Sequence, residues 1–175
     1  MNVGQFYFIS DEFYVIHDSE NQLMKNREAG HNRPCFFAFP DKQEPDIHWC
    51  VPISSKIQKY ESIVAGKIDR QIQRGIKKPK CNTILFGDVL GCKRAFLIQN
   101  MFPVIDEYIV STYIDKATNK PVTISTQTEK EIMRNANDIL KLVQRGNTHL
   151  VFSPILATRE NLIDELSQRI TLSLH

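Results

Sequence analysis

Two hydroxyls and two cations lie at the ends of two neighbouring predicted strands. Arg33 opens the apolar run that ends at Phe39, and the next apolar run, which begins at Ile47, ends in Ser54-Ser55-Lys56. A guanidinium offers a planar fork to two phosphate oxygens, an ammonium adds a point charge, and a serine hydroxyl donates or accepts. Fixed donors aimed at oxygens that gain charge in a transition state usually contribute most to catalysis. The cluster therefore indicates phosphate chemistry.

RNA suits this donor set because it carries its own nucleophile. A 2′-hydroxyl held in line with the phosphate can attack it without a metal, which leaves a 2′,3′-cyclic phosphate and a 5′-hydroxyl. No D-x-D or H-x-x-x-H motif lies near the cluster, so we expect neither a metal nor another cofactor. A general base and a general acid would each add roughly 10²–10⁴-fold. His31 is the nearest candidate, because histidine exchanges protons near neutral pH.

Each of these residues also has a plain structural explanation. A Ser-Ser-Lys run before a helix is typical of an ordinary N-cap. Arg33 precedes Pro34 and suits a surface charge at the start of a strand, and His31 suits a solvated polar loop. Trp49 and His48 suit core and edge positions better than base-stacking positions. The sequence alone leaves both interpretations of the cluster open.

The charge is unevenly distributed along the chain. Residues 56–80 hold eight basic and two acidic residues and carry +6, which leaves −4 on the rest of a chain whose net charge is +2. A basic segment on a slightly acidic body indicates a local site for a polyanion. A solvated helix face followed by a lysine-rich loop is the alternative explanation.

Length and composition indicate one domain over residues 1–175, because 175 residues that are 42% hydrophobic can form a real core. Cys35 and Cys50 lie within apolar runs, where cysteine behaves as a small hydrophobe, and the four cysteines include no C-x-x-C pair. This usage indicates a reducing cytoplasm. The first residues lack a signal-peptide pattern, and no apolar stretch approaches the ~20 residues of a membrane span.

The elements that must position the cluster are a hairpin and a helix. Residues 33–39 and 47–53 predict two strands joined by a turn at 40–45. Apolar residues at helical spacing after Ser55 predict a helix that Gly66 interrupts and Gly75 ends. The remaining predicted strands are 5–9, 83–91, 95–102, 108–114 and 122–124, with a turn at 91–94; the remaining predicted helices are 11–17 capped by Ser10, 128–145 capped by Thr128 with Gly146 at its end, and 159–170. The pattern predicts an α+β domain built on a small antiparallel, barrel-like sheet.

Several segments occur in the order found in a known family. They are Phe6-Tyr7-Phe8-Ile9-Ser10, Arg33-Pro34 before a strand, Trp49-Cys50-Val51-Pro52-Ile53-Ser54-Ser55-Lys56, Gln99-Asn100-Met101-Phe102-Pro103-Val104 and a long helix ending at Gly146. With these segments the chain resembles the toxins of type III toxin–antitoxin systems, the ToxN, AbiQ and CptN group, and is most similar to the CptN branch.

The resemblance implies an SH3-like barrel related to the MazF and Kid toxins, with added helices. It implies a metal-independent endoribonuclease that acts in phage defence. It also implies an RNA partner, a repetitive antitoxin that folds as a pseudoknot, occupies the active-site groove and is processed from its precursor by the toxin. Protein and RNA would form a closed assembly that involves neither a membrane nor DNA.

Site residues follow from the same resemblance. Ser55 matches the catalytic hydroxyl and Ser54 the hydroxyl residue before it, while Arg33 stands where ToxN-like members carry a lysine. Lys56 stands one residue before the family's next lysine, where this chain has Ile57. The expected catalytic set is therefore Ser55, Ser54, Arg33, Lys56 and His31, and the expected RNA-binding set is Asn32, Lys59, Lys67, Arg70, Arg74, Lys77, Lys78, Gln99 and Asn100.

Two other functions fit the same sequence. A toxin that poisons a protein target, as CcdB poisons gyrase, could use the same barrel with no need for Ser55 or Arg33. A non-catalytic RNA-binding module would use the basic segment alone. A tandem-repeat array upstream of the reading frame would favour an RNA antitoxin, whereas a small upstream reading frame would favour a protein one.

Overall fold

A seven-stranded antiparallel sheet forms the centre of the protein, and helices cover both of its faces. The structure is a computed structural model, and it describes residues 1–18, 22–24 and 33–173. No helix in these ranges is both long and apolar enough to cross a membrane. The strands are Phe6–Ile9 (β1), Cys35–Pro40 (β2), His48–Ser54 (β3), Leu85–Val89 (β4), Cys92–Phe96 (β5), Phe102–Val104 (β6), Ile109–Thr112 (β7), Ile114–Asp115 (β8) and Lys120–Pro121 (β9); the helices are Asp11–His17 (α1), Ile57–Gln73 (α2), Thr126–Gln144 (α3) and Ile155–Ser173 (α4).

Strand β3 is the hub of the sheet, whose order is β4-β5-β3-β2-β1-β7. One edge of β3 pairs with β2, and its other edge pairs with β6 at one end and with β5 at the other. The path of hydrogen-bonded strands ends at β4 and β7, and within the described ranges these two strands do not pair with each other. The α+β class is thus confirmed, while the sheet is open there and the barrel closure stays a prediction.

The apolar side chains of β2 and β3 alternate between two cores. Phe36, Trp49 and Val51 face a core that includes residues of α3, whereas Cys35 and Cys50 face a core that includes residues of α1 and α4. Successive residues of a strand point to opposite faces of the sheet. When both faces are covered, nearly every residue of the strand is buried, and its sequence is therefore an unbroken run of apolar residues. This burial is why the two strands could be predicted, and both cysteines are core residues as expected.

A buried ion pair fixes α4 to the loop between β2 and β3. Arg159 donates to both carboxylate oxygens of Asp41, through Nε and Nη2, each at 2.8 Å. The indole N–H of Trp49 and the backbone N–H groups of Gln43 and Glu44 donate to the same carboxylate. The carboxylate is therefore fully bonded although it is buried, which is the condition for a buried charge to be tolerated.

The predicted helix-end residues Ser10 and Gly146 are confirmed, whereas the predicted cap at Thr128 is not. The Ser10 hydroxyl accepts from the Phe13 N–H at 3.4 Å, and Gly146 has the left-handed φ of 95° expected after a helix. Helix α3 begins earlier than predicted, because Ser125 caps it by accepting from the Thr128 N–H at 3.2 Å. The prediction of Thr128 as the cap was wrong because both hydroxyl residues fit the cap pattern.

A predicted helix break and a predicted turn also differ from the structure. Helix α2 runs through Gly66 without interruption, because Ile63 and Val64 pack on a small core beneath it. The β4–β5 turn consists of Leu90 and Gly91 alone, with φ values of 51° and 72°, which is a two-residue hairpin turn. Residues 92–94 therefore belong to β5.

The predicted strand 95–102 is split in two. A 3-10 turn over Ile98–Asn100 separates β5 from β6, because these strands pair with opposite ends of β3 and the chain must shift along it between them. The last hairpin pairs β8 with Lys120–Pro121 rather than with residues 122–124, and α4 begins at Ile155, four residues before the predicted start.

Candidate active site

The end of β3, the start of β2 and the β4–β5 turn meet at a cavity of about 490 Å³, here called the serine cavity. Four of the residues expected to be catalytic line it, namely Arg33, Ser54, Ser55 and Lys56. Hairpin geometry explains their meeting. Cys35 pairs with Pro52, so the antiparallel register brings Arg33, two residues earlier, level with Ser54.

The two serines differ in exposure and bonding. Ser54 is buried, and its Oγ accepts from the backbone N–H of Lys56 at 3.2 Å. Ser55 is exposed, and its hydroxyl makes no hydrogen bond within the described residues. Helix α2 is capped at Lys56 without a side-chain cap bond. The ordinary N-cap explanation therefore does not apply to Ser55, which lines a ligand-sized cavity.

Arg94 is a second guanidinium in the serine cavity that sequence reasoning did not select. Ser54 pairs with Ala95, so one further step along the antiparallel register brings Ser55 level with Arg94. Arg94 is half-buried, and its Nη1 donates to the Lys93 carbonyl at 3.3 Å. It was missed because the predicted turn at 91–94 put it in a loop. Gly91 suits a two-residue hairpin turn, but Leu90 is not one of the Asn, Asp or Gly residues that such a turn favours at its first position.

The cysteine thiol nearest the cluster in sequence is not a nucleophile. Burial raises the pKa of Cys35 to about 12, although the charge of Arg33 lowers it. A thiol that stays protonated near neutral pH is inert, since the thiolate is the reactive form. The serine cavity itself presents hydroxyl, ammonium and guanidinium groups together with the exposed thiol of Cys92.

Two more cavities continue from the serine cavity along α2, and together we call them the basic groove. The first, of about 480 Å³, shares Arg33 with the serine cavity, and we call it the middle cleft. The second, of about 510 Å³, shares Lys67, Arg70 and Gln99 with the middle cleft, and we call it the distal cleft. Of the residues expected to bind RNA, the groove is lined by Lys59, Lys67, Arg70, Arg74, Gln99 and Asn100.

Lys67 and Gln99 form the floor between the two clefts. The ammonium of Lys67 donates to Gln99 Oε1 at 2.6 Å and to Thr83 Oγ1 at 2.7 Å. Burial lowers the pKa of Lys67, with Cys81 opposing and Arg70 adding to this effect. Gln99 and Asn100 were predicted within the strand 95–102, but both are buried in the 3-10 turn instead.

Two of the described residues that were expected to bind RNA are not brought to these cavities. Lys77 and Lys78 are exposed in the loop after α2 and line none of the three. His31 and Asn32 lie outside the described residues, so their roles stay predictions. Among the described residues, no group of three or more His, Cys, Asp or Glu side chains could hold a metal ion.

Residues from distant parts of the chain complete the distal cleft. Lys80, His149 and Phe152 line it, and none was singled out as a site residue from the sequence. Lys80 belongs to the basic segment and could have been found by its charge. His149 and Phe152 follow α3 and reach the groove only through the packing of that helix, so no local pattern reports them.

Comparison with known proteins gives structural neighbours only. A scan of protein-family models and a search of curated proteins each give no match. The chain is similar to the structure of AbiQ, a lactococcal anti-phage endoribonuclease belonging to the type III toxin–antitoxin system, with a TM-score of 0.54 and 14% identity over 79% of this chain and 81% of that chain.

A second similar structure concerns bacterial type III toxin–antitoxin systems and selective toxin inhibition by a non-coding RNA pseudoknot. Its TM-score is 0.43, with 17% identity over 86% of this chain and 76% of that chain. The overlap with AbiQ, whose TM-score is 0.54, is that of a common fold. The chain thus shares the fold of AbiQ, an endoribonuclease toxin.

Proposed function

We propose that this chain is an endoribonuclease toxin of the type III toxin–antitoxin kind, which cleaves RNA at the serine cavity without a metal ion. One observation carries the proposal. A single cavity is lined by Ser55, whose hydroxyl makes no hydrogen bond within the described residues, and by the two arginines Arg33 and Arg94, and it shares Arg33 with the basic groove. The shared fold with AbiQ supports the same class of reaction.

The proposed reaction is an internal transfer at phosphorus. The RNA 2′-oxygen forms a bond to phosphorus, the bond from phosphorus to the 5′-oxygen breaks, and the products are a 2′,3′-cyclic phosphate and a 5′-hydroxyl. A proton leaves the 2′-hydroxyl and another reaches the 5′-oxygen. Arg33 and Arg94 would hold the two non-bridging oxygens, on which negative charge builds. Ser55 would donate to the phosphate, and His31 is our candidate for one proton transfer.

Lys56 has a narrower proposed role. Its backbone N–H is held by Ser54, and its exposed side chain lines the serine cavity. A flexible ammonium acts on phosphate as a point charge, whereas a guanidinium binds two oxygens in a fixed plane. Lys56 would therefore strengthen binding of the RNA backbone more than it would orient the reacting phosphate.

The basic groove would bind the RNA strand beside the cleaved bond. Lys59, Arg70 and Arg74 present exposed charges along one side of α2. Contacts of this type give affinity that depends on salt and little on sequence. RNA sequence is read mainly on unpaired bases, so we propose a single-stranded substrate.

The proposed partner is a small RNA antitoxin made of repeats that fold as pseudoknots. The toxin would cut the antitoxin precursor, and the product would stay in the groove, exclude cellular RNA and join the protein in a closed assembly in the cytoplasm. The sequence resemblance supports this partner, and a groove that admits substrate RNA is a surface that a folded RNA can block.

Purified wild-type and Ser55→Ala proteins, incubated with cellular RNA in excess EDTA, test the catalytic proposal. Wild type should cleave and leave 5′-hydroxyl ends, and Ser55→Ala should not. Ser111→Ala is the control, because Ser111 is also exposed but lies on β7. Equal cleavage by Ser55→Ala would overturn the site, and a magnesium requirement would overturn the mechanism. Tight RNA binding with no cleavage under any condition would favour a non-catalytic module instead.

A further inference from the structure

Phe152 is the one exposed residue among the Phe, Tyr and Trp side chains in the part of the chain that the structure describes, with 60% of its surface in contact with solvent. The others are buried or half-buried. Burying an aromatic ring is strongly favourable, so an exposed one raises the question of what covers it. Its surroundings answer that question.

The position of Phe152 is fixed by the floor of the basic groove. Its backbone N–H donates to the Gln99 carbonyl at 2.9 Å, and the side-chain oxygen of the same glutamine accepts from Lys67 at 2.6 Å. Phe152 lines both the middle and the distal clefts. The ring is thus held at the junction of the two clefts, beside cationic groups.

The two walls of the distal cleft differ in chemistry. Arg70 of α2 and Arg74, which is the C-cap of that helix, form a basic wall next to Lys67 in the floor. Leu142 of α3 is 39% exposed and joins Leu150 and Phe152 in an apolar wall. A single nucleic-acid strand has the same two-sided character, because its phosphates are anionic and the faces of its unpaired bases are apolar.

We infer that the ring of Phe152 stacks on an unpaired base of an RNA strand whose phosphates lie along Lys67, Arg70 and Arg74. This inference rests on the proposed function and assigns a base-binding subsite away from the serine cavity. Aromatic side chains in a positively charged groove are the usual platform for single-stranded nucleic acid. Stacking accepts any base, so the subsite would favour unpaired over paired RNA rather than read a sequence.

Binding of a 2′-O-methyl RNA of about 12 nucleotides tests the inference, because such RNA spans a typical single-strand site and lacks the 2′-hydroxyl nucleophile. Phe152→Leu keeps an apolar side chain but removes the flat face, and it should bind roughly 5- to 150-fold more weakly. Phe152→Tyr should bind as wild type does. Val110→Ala is the control, because Val110 is also 60% exposed but lies on β7.

The same RNA with abasic sites separates stacking from other effects. Wild type should lose affinity for it, and Phe152→Leu should then match wild type, because no base remains to be stacked. If Phe152→Leu weakened binding to abasic RNA equally, a structural role would replace the stacking one and overturn the inference. Equal binding of Phe152→Leu and wild type to the intact RNA would overturn it too, and would favour a protein partner for the apolar wall.

Fluorescence gives a second readout. The chain has one tryptophan, Trp49, which is fully buried. The Phe152→Trp variant adds an exposed indole, whose emission should be quenched by the 2′-O-methyl RNA, whereas emission of a Val110→Trp variant should not change. If the Phe152→Trp variant bound the RNA and its emission did not change, the inference would be overturned but the proposed function would stand. Failure of wild type to bind or cleave any RNA would overturn the proposed function as well.

Discussion

The ammonium of Lys67 donates a hydrogen bond of 2.6 Å to the side-chain oxygen of Gln99. Because Gln99 is buried in the turn between β5 and β6, this bond joins the basic helix α2 to the sheet. Two of the three ammonium donors are used by Gln99 and Thr83. Lys67 therefore serves the structure of the groove as well as its charge.

Lys67→Ala should accordingly lower both stability and RNA affinity. It leaves the Gln99 oxygen buried without its donor, which costs about 1–3 kcal/mol of unfolding free energy. Arg74→Ala is the matched control, because Arg74 lines the same cleft and is exposed. That variant should lose RNA affinity with no change in stability. Urea unfolding and RNA-binding titrations measure the two effects, and equal stability of both variants would contradict the prediction.

Arg94→Ala should slow RNA cleavage by roughly 10²–10³-fold, because removing one donor to a charged transition state typically has this effect. Arg94→Lys should recover only part of the rate, since an ammonium cannot bind two oxygens in a plane. Single-turnover cleavage of an RNA oligonucleotide measures the rate.

Lys93→Ala is the control for Arg94. Lys93 is the residue before Arg94, and it does not line the serine cavity. Its ammonium binds Glu61 at 2.7 Å and lies 4.9 Å from the centre of the Phe86 ring. The Lys93→Ala rate should stay close to that of wild type. If Lys93→Ala lost as much of the cleavage rate as Arg94→Ala, the effect would come from overall charge and the prediction for Arg94 would be wrong.

The salt dependence of RNA affinity should distinguish the cations that line the basic groove from the cations in the loop after α2. For single-stranded RNA the logarithm of affinity falls with the logarithm of salt by about 0.7 per phosphate contact. Arg70→Ala and Arg74→Ala should each reduce the slope by about that amount. Lys77→Ala and Lys78→Ala carry the same charge change outside the groove and should leave the slope nearly unchanged. Equal slopes for all four would place the RNA elsewhere.

The Asp41–Arg159 pair predicts acid sensitivity. Burial raises the pKa of Asp41, but hydrogen bonds from Arg159, Trp49 and the backbone outweigh it, so the pKa is about 2 against an ordinary 3.8. A carboxyl whose pKa is lower in the folded state stabilises the fold above its unfolded pKa. That stability, roughly 2 kcal/mol, is lost as the pH falls from about 4 through 2. Urea unfolding over this range measures it.

Asp41→Asn is the test variant for this pair. It should lose the part of the acid dependence that belongs to Asp41, and it should be less stable at neutral pH by about 3–5 kcal/mol, because Arg159 is left buried without its partner. Asp138→Asn is the control, because Asp138 is exposed on α3. It forms a long, exposed ion pair of 3.7 Å with the ammonium of Lys141, in contrast to the buried pair of Asp41. Its stability at neutral pH should be close to that of wild type.

Elements with local signals could be predicted from the amino-acid sequence. Ser10 and Gly146 marked helix ends, and the β2–β3 hairpin was set by two apolar runs and a turn. The meeting of Arg33 with Ser54 and Ser55 followed from that hairpin, because strand ends joined by a short turn must be neighbours. Where local signals were ambiguous, as for Thr128 and for the turn at Leu90, the boundaries were misplaced.

The rest of the site depends on tertiary structure. Arg94 and Ser55 line one cavity because β5 pairs with the end of β3. Phe152 lines the same clefts as Lys67 because its backbone N–H donates to Gln99 in the 3-10 turn. Asp41 and Arg159 are 118 residues apart in the chain. Such partners are chosen by strand order and helix docking, which depend on burial of the whole core and leave no pattern in any short stretch of sequence.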